Sequence, residues 1–194
     1  MRNVRPLLLC AAFLAGCTSV PTRVDEGRID AATFSWMPSR ESAAASSADA
    51  KAVDAAVLSA VEDALAQKGV RRVDGGGDIT VGYLVVLHSA AATTTSAARF
   101  GYGPEAMQIQ KLAHRHAEDL YSRIEKDRTQ DASKVYVAAL VIDVVDAKSL
   151  RLLYRNFAYR PVQKNPTEEQ RQSRVREAVD EILRGLDRTG RPTP

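Results

Sequence analysis

From Lys134 to Val145 the chain is almost uninterruptedly apolar, and Asp146-Ala147-Lys148-Ser149 then separates it from a second β-prone run, Leu150 to Tyr159. Long β-branched runs divided by Asp and Ser turn residues read as the two antiparallel strands of a hairpin. Arg151 and Arg155 are expected to point from the second strand toward solvent, and Pro161 and Pro166 mark the way out of it. A hairpin this apolar constrains the fold more than any other segment, because it needs neighbouring strands and a covering layer of helices.

The rest of the chain supplies both. Thr33-Phe34-Ser35-Trp36-Met37 is a short strand that Pro38 ends, and an Ala/Ser-rich connection follows it. Val53, Val57, Ala60, Val61, Ala64 and Leu65 then recur at helical spacing and predict a helix over 50–68. Ser47 or Asp49 can cap its start, and Lys68-Gly69 suits its end. After the turn Asp74-Gly75-Gly76-Gly77-Asp78, a strand carries Ile79, Val81, Tyr83, Val85 and Leu87 on one face and Leu84 and Val86 on the other, which places it inside a sheet. Residues 88–104, rich in Ala, Thr, Ser and Gly, are expected as a loop. Met107, Ile109, Leu112, Ala113, His116, Leu120 and Ile124 form the apolar stripe of a helix over about 105–128. Thr167 with Gln170 is a capping box for the last helix, whose stripe is Val175, Ala178, Val179, Ile182, Leu183 and Leu186. The fold expected is α+β: a small mixed β-sheet in the order β-α-β, a helical excursion at about 88–133, a β-hairpin and a final helix. Two amphipathic helices pack on one face of that sheet. Its other face is left to the excursion, to solvent or to a partner.

At the N-terminus, Arg2 and Arg5 precede the apolar run Leu7 to Ala15, which is too short to span a bilayer and has the layout of a secretory signal. Leu14-Ala15-Gly16-Cys17 resembles the lipidation box of a bacterial lipoprotein. The resemblance implies that residues 1–16 are a cleaved signal peptide and that Cys17 Sγ carries a diacylglycerol thioether with an acylated α-amine. Residues 17–31 follow as the lipidated cysteine and a flexible tether, and 32–190 as a single domain. Thr18, where an inner-membrane retention signal would place Asp, implies the outer membrane with the domain facing the periplasm. Two or more acyl chains anchor stably where one does not. Loss of Arg2 and Arg5 from 27 basic residues leaves 25 against 24 acidic ones, so the mature chain offers no electrostatic case for nucleic acid. Cys10 leaves with the signal, and the remaining cysteine is the lipidated one, so no disulfide is expected.

Beyond the lipid box, the chain resembles the bacterial lipoproteins that share the DUF4136 domain. The likeness runs through Thr33-Phe34-Ser35-Trp36-Met37-Pro38, Lys68-Gly69-Val70, Asp78-Ile79-Thr80-Val81-Gly82-Tyr83 and Leu140-Val141-Ile142-Asp143-Val144-Val145-Asp146-Ala147. It ends in Glu177-Ala178-Val179 with Ile182-Leu183. The family often has Trp-Arg-Gly where this chain reads Tyr154-Arg155-Asn156, and its middle excursion is often Gly- and aromatic-rich where this one is charged. The resemblance implies a lipid-anchored α/β domain and no established activity.

The chemistry-bearing clusters are few. His114, His116, Glu118 and Asp119 are metal-capable, but on a helix only His114 and Glu118 share a face and no third ligand has suitable spacing, so a solvated helix is the better reading. Asp143 and Asp146 start on opposite faces of a strand, and Asp146 opens a turn, so they read as structure rather than as an acid/base pair. The glycines 75–77 lack the Lys-Ser/Thr of a phosphate loop and lead into a strand. Trp36, Phe34 and Tyr83 read as core aromatics rather than a ligand groove. No catalytic, metal or cofactor site is expected. The first functional expectation is a non-enzymatic interaction module for an envelope protein partner, held to the membrane through Cys17. The alternative is a binding protein for a small apolar or amphipathic ligand, with helix 105–128 as a cover over the free sheet face.

Overall fold

The computed structural model describes residues 27–38, 47–89, 93–99, 104–127, 135–163 and 165–188. Cys17, the signal segment and most of the expected tether lie outside these residues. The elements run β1 (Gly27–Ile29), β2 (Thr33–Trp36), α1 (Ala48–Gln67), β3 (Arg71–Arg72), β4 (Ile79–His88), β5 (Thr93–Arg99), α2 (Pro104–Asp127), β6 (Val135–Asp146), β7 (Leu152–Gln163), α3 (Glu168–Leu183) and β8 (Leu186–Arg188). The main sheet is mixed, in the order β3-β2-β4-β6-β7, and β5 adds to β4.

The hairpin forms as read. β6 and β7 are antiparallel from Val135↔Gln163 to Val145↔Leu152, with a register shift beside the turn. β7 continues past Tyr159 through Pro161, beyond the expected exit. It is the terminal strand of the order, the place where a sheet tolerates a residue without an N–H. β4 is interior, antiparallel to β6 along its whole length. Its other edge is divided: Phe34, Ser35 and Trp36 of β2 pair parallel with residues 79–81, and β5 pairs antiparallel with residues 83–88. Gly82 sits at the change of partner, where a Cβ would lie 2.6 Å from both the Arg99 carbonyl oxygen and Met37 Sδ. β5 replaces the loop expected over 88–104. Its run of Thr, Ser and Ala carries no apolar alternation, so pairing on the free half of β4 overrides a composition that reads as loop.

Helix ends are written in the sequence. Ser47 caps α1 by accepting from Ala50 N at 3.1 Å. At the far end Gly69, at φ 79°, lets Val70 N reach Leu65 O and Gly69 N reach Ala66 O, both at 2.9 Å. Thr167 and Gln170 form the capping box of α3 in both directions. α1 and α3 pack on one face of the sheet, burying Val57, Val61, Leu65, Val179, Ile182 and Leu183 against Ile79, Val81, Tyr83, Ile142, Val144 and Tyr154. The predicted core aromatics are there too, with Phe34 edge-on to Trp36 at 5.4 Å and Trp36 edge-on to Tyr83 at 6.0 Å.

α2 covers the opposite face. Ile109 and Ala113 pack on Leu84, Val86, Ala139 and Val141, while Ala117 and Tyr121 pack on Val137. The stripe therefore runs Ile109-Ala113-Ala117-Tyr121, a strict four-residue spacing; Met107, expected on it, is 52% exposed.

Three expectations are corrected at the periphery. The flexible tether does not extend to residue 31, because Gly27–Ile29 pairs parallel with β8 and Ile29 and Ala31 are buried. Leu186 is buried in β8 rather than on the last helix, which ends at Leu183. Arg155 does not face solvent. It lies buried under the α2 side of the sheet and holds the buried Asp143 through Nε to Oδ1 at 2.6 Å and Nη2 to Oδ2 at 2.5 Å. The two residues are register partners across the hairpin, so each buried charge meets an opposite one.

Candidate functional site

Where β4 ends and β6 begins, the residues facing α1 and α3 become small. Ala138 and Ala158 stand where Ile142 and Tyr154 fill the other end, and Ala178 faces them from α3. The space they leave is a cleft of about 460 Å³ between the sheet and the first turns of α1 and α3. Val53 and Val57 of α1, Val85 and Leu87 of β4, Leu140 of β6 and Val175 of α3 give it an apolar floor and walls. Its rim is polar: Asp49, Ser89, Tyr136, Gln170 and the three arginines 160, 171 and 174.

The arginines are charge-paired. Arg160 bonds Glu181, Arg171 bonds Glu168 and lies 3.5 Å from Asp49, and Arg174 lies 3.4 Å from Glu177. Exposed pairs of this kind contribute little to stability, so they can exchange partners at small cost. A second depression of about 450 Å³ lies between α1 and α3, but Asp63, Gln67, Arg176 and Asp180 make it polar and no sheet residue floors it. The two are alike in size, and the cleft is the better ligand site by its apolar lining.

None of the residues weighed in the sequence for metal, acid/base, phosphate or aromatic-groove chemistry lines this cleft. His114 is half-buried on α2, and burial holds its imidazole below the ordinary value, with Glu118 opposing and His88 reinforcing the shift. His116 lies against the rings of Phe157 and Tyr159, at 6.3 and 5.3 Å, on the other side of α2. Burial pushes the Tyr159 hydroxyl up to about 12. Among the described residues no group of three or more His, Cys, Asp and Glu could hold a metal. Asp143 and Asp146 are separated as expected: Asp143 bonds Arg155, and Asp146 accepts from Ser149 N and Oγ at 2.6 Å in the turn. Helix 105–128 does cover the sheet face opposite α1 and α3, as expected, but the cleft lies on the α1 and α3 side, so α2 is not its cover. The available signal was the pair Ala138 and Ala158, small residues on one face of adjacent strands.

Residues 25–186 match the family described as Domain of unknown function (DUF4136). No curated protein matches the chain in sequence. Two solved structures share a low overall similarity. A PDZ domain protein from Parabacteroides distasonis aligns with 11% identity and a TM-score of 0.41, over 77% of this chain and 31% of that one. The chain thus spans about a third of that protein. A PelC variant dodecamer from Paraburkholderia phytofirmans aligns with 10% identity and a TM-score of 0.42, over 89% of this chain and 95% of that one.

Proposed function

The chain belongs to the DUF4136 family, and from that premise we propose that it is a lipid-anchored, non-enzymatic binding protein of the cell envelope that takes a small amphipathic ligand. The cleft of about 460 Å³ carries this reading: an apolar floor from three strands and two helices, and hydrogen-bonding groups confined to its mouth. A ligand with an apolar body and a polar end fits that division. The anchor on Cys17 and its place on the periplasmic side of the outer membrane belong to the same proposal, supported by the Leu14-Ala15-Gly16-Cys17 box.

The test is native mass spectrometry of the chain carrying Cys17→Ser, purified without detergent from a bacterial envelope. A mass increment is expected that Ala138→Phe, which fills the cleft, abolishes. An increment that survives Ala138→Phe, or no increment with fatty acids and phospholipids supplied, refutes the reading. A protein partner is the second reading, favoured by β7, a twelve-residue terminal strand with one unpaired edge among the described residues. Crosslinking from Arg160 or Pro161 in cells would capture a single envelope protein if it holds.

A further inference from the structure

We infer that the hairpin end of the domain is a membrane-docking face, with Leu150 seated among lipid headgroups and Lys148 and Arg151 at the level of their phosphates. This rests on the proposed lipid at Cys17. Leu150 is 77% exposed, one of two large apolar side chains so exposed among the described residues. It stands at φ 57°, a left-handed conformation that a branched side chain seldom adopts and that glycine or asparagine would adopt with less strain. The turn does not let it retreat: Leu150 N donates to Asp146 O at 2.9 Å, and Asp146 Oδ1 grips Ser149. A strained, rigidly presented leucine at a turn tip is the shape of an interfacial wedge, and its neighbours Lys148 and Arg151 are exposed cations with long stems.

The route of the chain identifies the occupant as the membrane. β1 enters the domain beside the hairpin, since a Cβ on Gly27 would lie 2.5 Å from Tyr154 Cδ2, and Tyr154 pairs with Val144 just before the turn. Only residues 18–26 separate Cys17 from Gly27, a reach of at most roughly 35 Å even when fully extended. A lipid on Cys17 thus tethers the domain from the hairpin end, while the ligand cleft lies at the opposite end of β4, β6 and β7. Arg71, beside Thr33 at the same end, adds a third exposed cation. Asp78 and Asp146 stay ionised beside these cations, Lys148 near Asp78 and Arg151 near Asp146, so docking brings the cations to the phosphates by exchange from exposed neighbours.

The test uses the full lipidated protein in phosphatidylethanolamine–phosphatidylglycerol vesicles containing doxyl lipids. An environment-sensitive fluorophore is placed on Leu150→Cys or, at the far end, on Glu169→Cys. Severalfold stronger quenching and a blue shift at position 150 relative to 169 are expected, together with loss of most of that quenching when Lys148→Glu and Arg151→Glu are added. Equal quenching at both positions, or stronger quenching at 169, overturns the docking. The mass of the extracted protein separates the two layers: an unmodified Cys17 overturns the anchor and the docking together, whereas a lipidated Cys17 with an unquenched position 150 overturns the docking alone. Leu150→Gly provides a control for folding, because it should raise thermal stability while the hairpin tip loses its protection from hydrogen exchange on vesicles.

Discussion

Replacing Arg155 by methionine should destabilise the protein more than any surface change, through the carboxylate it leaves behind. Asp143 and Arg155 are 4% and 5% exposed and joined by two charge-assisted hydrogen bonds. Removing one member of a buried pair costs about 3–5 kcal/mol, because the other charge stays desolvated and alone. At the usual sensitivity of a chain this size, that lowers the melting temperature by roughly 10 °C. The double variant Asp143→Leu/Arg155→Met should recover most of the loss, since the neighbouring pair Val141 and Phe157 offers apolar contacts. The penalty also has a pH signature. Burial pushes the Asp143 carboxyl up while Arg155 opposes it, so without Arg155 the folded-state value rises well above the unfolded one. The variant's loss relative to the parent is then smallest near pH 4, where the lone carboxyl can be protonated, and grows as pH rises toward 7. Urea denaturation of parent, both single variants and the double variant at pH 4.5 and 7 measures all of this. A single-variant cost below about 1 kcal/mol, or a double variant no better than Arg155→Met, refutes the account of a pair held by mutual need.

Tyr154→Phe removes a fully buried hydroxyl that donates to Ile182 O and accepts from Asn156 Nδ2 at 3.3 Å, and should cost about 1–3 kcal/mol in denaturant titration. Gly27→Val drives a side chain into Tyr154 and the backbone of Gly185 and Leu186, so about 1–3 kcal/mol should be lost together with amide protection of residues 27–29 and 186–188. Asp78 holds Ala32 N, Thr33 N and Thr33 Oγ1, each at 2.9 Å. The Thr33 hydroxyl, with the two backbone donors, keeps its carboxyl below the ordinary value, so its stabilisation is present above the unfolded value near 3.8 and lost as pH falls through the lower folded one. Asp78→Asn should flatten that acid limb in thermal melts across pH 2–5; an unchanged limb would count against the assignment.

Much of the architecture was legible because local and global signals agreed. The capping residues Ser47 and Thr167, the positive-φ Gly69 and the two-faced apolarity of β4 each name one structure and no competitor. What escaped was decided by pairing across distance. β5 has loop composition and becomes a strand because the upper half of β4 has an empty edge. Arg155 reads as a solvent-facing residue until the hairpin register places Asp143 beside it. The cleft was illegible for a related reason: a cavity is made by what is missing, and Ala138 and Ala158 look like ordinary strand residues until two helices fail to fill the space above them. The proposed anchor is of another kind: it rests on the local Leu14-Ala15-Gly16-Cys17 box and on no feature of the fold.

The parallel pairing of β1 with β8 bears on the order in which the chain folds. These strands are the first and last described elements, so β1 finds its partner only after residues 186–188 have been made. The sheet and its helices can assemble earlier, but closure across nearly the whole chain carries the largest entropic penalty and comes late. A chain cut before Leu186 would leave the buried Ile29 without its neighbour and expose an unpaired strand. The clasp thus works as a late check on folding: only a chain that includes residues 186–188 hides the β1 edge, by which a truncated one would aggregate.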